Sequence, residues 1–167
     1  MATNARYHVK FRRRREGKTD YRKRLALLKS GQTRLVVRQS LKYVTVQLVD
    51  YIPQGDMVVF THSSRKLKDL GWTFGTGNVP AAYLIGYLAG KESLKRDVSE
   101  AILDIGRLKP TPNSRVFAVL KGLLDAGVKI PHSKKVLPSK DRLYGKHIDD
   151  AVEKNVKNVI EAIDKRE

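Results

Sequence analysis

Four consecutive arginines, Arg12–Arg15, are the residues of this chain whose chemistry is easiest to name. They lie in a segment, residues 1–24, that holds ten Lys and Arg side chains against two acids, a net charge of +8. Adjacent guanidinium groups repel each other and bind phosphate oxygens in bidentate fashion. Three rings suited to stacking on unpaired bases are interleaved with these charges: Tyr7, Phe11 and Tyr21. The segment has no apolar face that could enter a membrane surface, so its chemistry favours a nucleic acid.

The rest of the chain is basic as well. Lys and Arg number 34 against 17 acids, which gives a net charge of +17 and a pI of about 10.2. About half of that excess lies outside residues 1–24. The electrostatic field of so many positive charges accelerates association with polyanions and makes binding steeply salt-dependent. A block of like charge is usually an interaction arm, although a solubilising tail or a nuclear localisation signal has the same local composition.

Length and composition limit the class of protein. The 167 residues, 41% of them hydrophobic, suit one domain with tails and a real core. Because cysteine is absent, no disulfide or thiolate metal site is possible, and the four histidines lack metal-ligand spacing. No apolar run has membrane-spanning length, and the N-terminal segment lacks the apolar core of a signal peptide. The sequence is compatible with the reducing cytosol.

A polar strand face is the second candidate site. The sequence predicts strands over Arg34–Gln39 and Lys42–Asp50, joined by a short turn at Ser40-Leu41, and a third strand over Met57–Thr61. One face of this antiparallel meander is polar, aromatic and basic: Arg38, Gln39, Ser40, Lys42, Tyr43 and Thr45. Taken alone, such a face is as consistent with an ordinary solvated surface as with a binding site. Beside the basic arm it predicts an RNA-binding platform.

The remaining elements predict an α/β fold with a mixed β-sheet and packed helices. Residues 1–17 are expected to be extended or disordered when free. The predicted helices are Tyr21–Lys29, Val79–Lys91, Arg115–Ala126 and Ile148–Asp164. Their candidate N-caps are Thr19 or Asp20, Asn78, and Asn113 or Ser114. Glu100–Ile105 is predicted to be a fourth strand buried on both faces, and residues 128–130 a short fifth strand.

Two polar clusters lie near the ends of predicted elements. Gly75-Thr76-Gly77-Asn78-Val79-Pro80 partly matches a dinucleotide-binding loop, but Pro80 replaces the third glycine, and a turn with an N-cap explains the segment at least as well. His62-Ser63-Ser64-Arg65-Lys66 supplies polar donors at a strand end, where a lone His is most often solvated.

Asp104 raises the alternative of a metal-dependent nuclease. Two-metal chemistry needs several converging carboxylates, and the first predicted strand supplies Arg34, Arg38 and Gln39 instead. We therefore interpret Asp104 as a structural acid that is paired with a neighbouring basic loop. A second alternative is a protein that compacts DNA, which the aromatic-rich arm disfavours.

Several strings in order along the chain resemble one family. They are FRRRREGKTDYRKRLALLKSG, RLVVRQS, HSS, GTGN with the following P-AAYL-G, ILDIG, PTPNSRVFA, LKG-LDAG and IPHS, and they span residues from about Tyr7 to about His147. Together they closely resemble the archaeal type of large-subunit ribosomal protein eighteen. The resemblance implies a ribonuclease-H-like body without the nuclease carboxylates. It also implies a structural role in the large subunit, where such a protein binds 5S rRNA and helps attach it to the large-subunit rRNA in the central protuberance.

The resemblance also implies which residues contact RNA. In the arm they are Arg6, Tyr7, His8, Lys10, Phe11, Arg12, Arg13, Arg14, Arg15, Lys18, Tyr21, Arg22, Lys23 and Arg24. On the body they are Arg38, Lys42, Tyr43, His62, Ser63 and Ser64. The polar strand face and the polar cluster at the strand end add Ser40 and Arg65 to the residues expected to contact RNA. The expected partners are 5S rRNA, the 23S-type rRNA and neighbouring ribosomal proteins of a cytoplasmic ribosome. No enzyme activity, cofactor, metal, small-molecule substrate or membrane partner is expected.

The same reasoning divides the chain into three parts. Residues 1–30 are predicted to be a basic RNA-binding arm with a short helix, residues 31–130 an α/β globular body, and residues 131–167 a basic loop followed by an amphipathic C-terminal helix.

Overall fold

The computed structural model describes residues 4–165 and contains a mixed four-stranded sheet. Strands β1 (Arg34–Gln39), β2 (Val44–Ile52) and β3 (Gly55–Ser63) form an antiparallel meander. Strand β4 (Ile102–Asp104) pairs with β1 in parallel, so the strand order is β3-β2-β1-β4. The predicted α/β class with a mixed sheet is therefore confirmed, whereas the ribonuclease-H-like topology and the three-part division stay predictions.

Alternation along the strands decides which face of the sheet packs on the core. Five apolar side chains on one face are fully buried: Leu35, Val37, Val44, Val46 and Leu48. Two long helices, α3 (Val79–Lys95) and α4 (Arg115–Asp125), pack closely against each other in that core. A Cβ on Gly86 would lie 2.2 Å from the carbonyl oxygen of Val119, so only glycine permits this approach.

The other helices are shorter or lie at the ends of the chain. They are α1 (Arg12–Arg15), α2 (Tyr21–Leu28), α5 (Lys140–Leu143), α6 (Asp150–Asp164) and two 3₁₀ segments, Ser64–Leu70 and Lys134–Val136. Helix α6 is amphipathic and buries Val152, Val156, Val159 and Ile163. Among residues 4–165, no helix is both long enough and apolar enough to cross a membrane.

The elements of the structure differ from the sequence-based expectations in several places. Residues 128–130 make only an isolated bridge, between Lys129 and Glu100 in the segment that leads into β4. Strand β4 is short, and two of its three residues are only half-buried. Arg12–Arg15 is helical rather than extended. Ile148 is exposed because Asp149 caps α6 and the helix begins after it.

Candidate nucleic-acid interface

The basic arm is folded back into two short helices that expose their charges. The Asp20 carboxylate caps α2 by accepting from the backbone N–H groups of Arg22 and Lys23, at 3.1 and 3.3 Å. The rings of Phe11 and Tyr21 lie 5.3 Å apart, which brings α1 against the start of α2. Every described side chain up to residue 18 is exposed. The arm is therefore ordered locally while its cations face outward.

A network of charges attaches α2 to the sheet. The Arg24 guanidinium binds Asp56 in bidentate fashion, at 2.8 and 2.7 Å. Asp56 lies 2.8 Å from Arg34, whose other terminal nitrogen donates to Asp104 at 3.0 Å. Arg34 is only 2% exposed, and its charge is balanced by the two carboxylates. The arm is thereby joined through Asp56 to the sheet face opposite the core, which we call the outer face.

Asp104 is a structural acid, as the sequence indicated, but the prediction of its partner was wrong. It pairs with Arg34 on the neighbouring strand rather than with a basic loop, because the parallel register sets Asp104 beside Val36, two residues along β1. Its second oxygen accepts from the backbone N–H of Gly106 at 2.8 Å. Within residues 4–165, no group of three or more acidic or histidine side chains could hold a metal ion. The described residues thus offer no two-metal nuclease centre.

The contact between Arg24 and Asp56 is expected to weaken in acid. The hydrogen bond from Arg24 holds the pKa of Asp56 below its ordinary value of 3.8. A lowered pKa means that the contact contributes fully above pH 3.8 and is lost as the pH falls through the lower folded-state value. Amide hydrogen exchange should show α2 loosening before the sheet does. Asp56→Asn should loosen α2 already at neutral pH. The control, Asp69→Asn, changes an exposed acid and should not. Equal protection of the α2 amides in both variants would show that the contact between Arg24 and Asp56 does not hold the helix.

The turn between β1 and β2, residues 40–43, forms an exposed hairpin tip. Ser40 closes it: its hydroxyl accepts from the backbone N–H of Tyr43 and donates to the Tyr43 carbonyl, both at 3.0 Å. Lys42 is exposed, Tyr43 is half-buried, and Leu41 at the apex is 98% exposed. Lys42 and Tyr43 therefore lie in the turn, since β2 begins only at Val44. Arg38 is exposed at the end of β1 nearest the tip.

The glycine segment before α3 braces this tip. Asn78 caps α3 by accepting from the Ala81 N–H at 2.9 Å. The Thr76 hydroxyl donates to the Lys42 carbonyl at 2.9 Å, and a Cβ on Gly77 would lie 2.9 Å from the Leu41 carbonyl oxygen. The glycine is thus needed for close contact with the tip. The prediction that Asn78 is an N-cap is confirmed.

Two of the residues predicted to contact RNA are buried. Ser64 has no exposed surface; its hydroxyl accepts from the Val44 N–H at 3.0 Å and donates to the Thr76 carbonyl at 2.7 Å. His62 is 7% exposed, 4.9 Å from the Phe60 ring, and burial lowers its pKa. Both side chains support the strand ends in this structure, and the expectation of a solvated His62 was wrong. Their contacts with RNA stay predictions.

The neighbours of these two residues remain accessible. Ser63 is half-buried and accepts from the Arg65 N–H at 3.4 Å, at the start of the 3₁₀ segment. Arg65 is exposed. Contacts of these two residues with RNA stay predictions.

Sequence reasoning missed Arg107 beside the arm. This exposed residue follows β4, and its guanidinium would lie 3.2 Å from a Cβ on Gly17. It adds a positive charge where the arm meets the body. The signal that could have found it is the pair of basic residues in Arg107-Leu108-Lys109, directly after the ILDIG string.

Comparison with known proteins identifies the family of this chain. The sequence model of the family described as "Ribosomal large subunit proteins 60S L5, and 50S L18" matches residues 5–99 and 95–133. The chain belongs to this family. The resemblance found in the sequence is thereby confirmed, and the family is one of structural ribosomal proteins rather than of enzymes.

Archaeal relatives agree with the family match. The chain is 54% identical over 154 residues to the large ribosomal subunit protein uL18 of Korarchaeum cryptofilum, which covers 92% of this chain and 79% of the relative. It is 54% identical over 149 residues to the protein of the same name from Caldivirga maquilingensis, covering 89% and 72%. It is 50% identical over 153 residues to that of Methanococcus maripaludis, covering 92% and 79%. Membership of this family makes the chain a structural constituent of the large ribosomal subunit.

Proposed function

We propose that this large-subunit protein binds 5S rRNA and helps attach it to the large-subunit rRNA in the central protuberance, without catalysing a reaction. The observation that carries the proposal is the arm, which exposes its cations while its second helix is joined to the sheet through Arg24 and Asp56. Anchored at one end, the arm presents arginine forks in a restricted region of space. That restriction reduces the ordering cost of binding.

Phosphate contacts from the arm supply most of the proposed affinity. Arginine forks match phosphate oxygens, and each neutralised phosphate releases counterions. These contacts carry no base sequence information, so the specificity for 5S rRNA comes from its folded shape and its unpaired bases. The exposed rings of Tyr7 and Phe11 are suited to such bases. Neighbouring ribosomal proteins are the proposed partners of the surfaces that the RNA leaves uncovered.

Tyr43 at the hairpin tip is proposed to stack on a base. Its backbone is fixed by Ser40, so the ring is presented by a rigid turn. Tyr43→Ala should therefore lower the affinity for 5S rRNA by about 1–3 kcal/mol, the range of one stacked base. Tyr43→Phe keeps the stacking surface and should bind like the native protein. If Tyr43→Ala binds as tightly as Tyr43→Phe in a filter-binding titration, the ring belongs to the fold alone.

Protein–RNA cross-linking in the reconstituted complex tests the proposed surface. Ultraviolet irradiation followed by mass spectrometry of the linked peptides should report the arm, residues 6–24, and the hairpin tip, residues 40–43. Helix α6 lies outside the proposed surface and serves as the internal control. Cross-links confined to α6 and absent from the arm would contradict the proposal.

A further inference from the structure

A cavity of about 710 Å³ lies between the arm and the body. Helix α2 forms one wall, and the segment 103–106 with the exposed end of β1 forms another. Helix α2 has no fully buried residue, although Tyr21, Leu27 and Leu28 are half-buried. The ion pair between Arg24 and Asp56 joins the helix to the sheet beside the cavity.

The cavity combines an apolar surface with unbalanced positive charge. Its apolar surface includes Ala26, Leu27 and Pro110. Its three acids already have partners within the protein: Asp20 caps α2, Asp56 binds Arg24, and Asp104 binds Arg34. All three carboxylates are therefore already hydrogen-bonded within the protein, and those of Asp56 and Asp104 are also paired with arginine.

Three cations that line the cavity take part in no ion pair among residues 4–165: Arg13, Lys23 and Arg38. The Arg13 guanidinium donates to the Thr19 hydroxyl at 2.8 Å, so the charged groups of Lys23 and Arg38 are the two without a hydrogen-bond or ion-pair partner in the described part of the chain. A ligand that satisfies this site has an apolar part and an anionic part.

We infer that this cavity receives one unpaired ribonucleotide, with its base against the apolar wall and its phosphate at Lys23 and Arg38. The volume lies in the range of pockets that enclose small organic molecules, about 300–1,000 Å³, so one nucleotide fits. The inference rests on the proposed function, since the cavity opens beside the arm cations Arg13 and Lys18 that would follow the RNA backbone. An RNA chain is the source of the nucleotide that we propose; a free nucleoside monophosphate shares its chemistry.

A substitution that fills the cavity tests its role without changing the surface charge. Ala26→Trp adds a large side chain at an exposed helical position and removes no cation. It should weaken binding to 5S rRNA by about tenfold, the size of one lost base-stacking contact, and lower the slope of log K against log salt by no more than about 0.7–0.9, the share of one phosphate. Ala151→Trp is the matched control, at an exposed position in the first turn of α6. It should bind like the native protein.

The decisive experiment uses 5S rRNA that contains thio-substituted uridine or guanosine, photo-cross-linked to the full chain. The expected result is a cross-link to peptides from residues 21–27 or 103–106 that Ala26→Trp removes and Ala151→Trp retains. RNA that binds tightly without this cross-link, and without an effect of Ala26→Trp, overturns the inference and leaves the proposed function standing. RNA that does not bind at all overturns both.

A parallel titration with the four nucleoside monophosphates distinguishes the two sources of the ligand. Chemical-shift changes in α2 are expected to be small or absent, because the arm contacts to the flanking phosphates are missing. Saturable binding of a free nucleotide, combined with no cavity cross-link to RNA, overturns the inference in favour of a small-molecule site.

Discussion

Deletion of residues 1–17 is expected to lower the affinity for 5S rRNA at least a hundredfold near physiological salt. The deletion removes six Lys and Arg side chains, of which Arg12–Arg15 form the densest group. Each phosphate contact contributes about 0.7–0.9 to the slope of log K against log salt, so the slope should fall by about 4 to 5 if all six cations bind. Filter-binding titrations across a range of KCl concentrations measure both quantities.

A control variant that loses the same number of positive charges distinguishes the effect of the arm from the effect of the overall charge of the protein. It keeps the arm and replaces six exposed lysines elsewhere by Gln: Lys68, Lys129, Lys134, Lys140, Lys154 and Lys165. Its salt slope should change much less than that of the deletion, because these side chains lie outside the proposed contacts. If the slope of log K against log salt falls equally in the two variants, net charge alone drives binding and the arm has no special role.

Asp104→Ala is expected to be the most destabilising change at the interface. Arg34 is almost fully buried, and the substitution removes one of its two carboxylates together with the acceptor for the Gly106 N–H. Removal of one partner from a buried ion pair typically costs about 3–5 kcal/mol, and the remaining Asp56 places the expected loss at the lower end, about 3 kcal/mol. Urea unfolding followed through Trp72, the only tryptophan and a buried one, measures the free energy of unfolding.

Two further variants test the cause of that loss. Replacement of both partners, by Arg34→Met with Asp104→Leu, should cost less than Asp104→Ala alone, because no buried charge is left uncompensated. Asp69→Ala, at an exposed acid, should change the free energy of unfolding by less than about 0.5 kcal/mol. A loss for Asp104→Ala as small as that for Asp69→Ala would show that Arg34 does not depend on this carboxylate.

Local sequence signals predicted the framework because they depend on near neighbours. Alternation along β2 identified the buried Val44, Val46 and Leu48, and short-range hydrogen bonds made Asp20 and Asn78 recognisable as N-caps. These features are decided within a few residues of the chain.

Features that depend on distant contacts were predicted less well. Ser64 is polar in the sequence but fully buried, since its hydroxyl joins β2 to the segment before α3. The side chain of His62 packs beside Phe60, which the sequence pattern did not indicate. Residues 128–130 have strand-like composition, yet their pairing with the segment 99–101 is limited to one bridge, between Lys129 and Glu100.

The candidate site shows the same difference between features set by near neighbours and features set by distant contacts. The arm was predicted from its charge and its aromatic residues. Its attachment was not, because Arg24 and Asp56 are 32 residues apart and meet only when the start of β3 lies below α2. The buried position of Arg34 likewise depends on the parallel register between β1 and β4, which brings Asp104 to it.

The most direct test of the account is a gel-shift titration of the purified protein with 5S rRNA, with tRNA as competitor at near-physiological salt, where non-specific electrostatic binding is weak. The account predicts tight binding that excess tRNA does not displace. Weak binding of equal strength to both RNAs would contradict it, because positive charge alone would then explain the interaction.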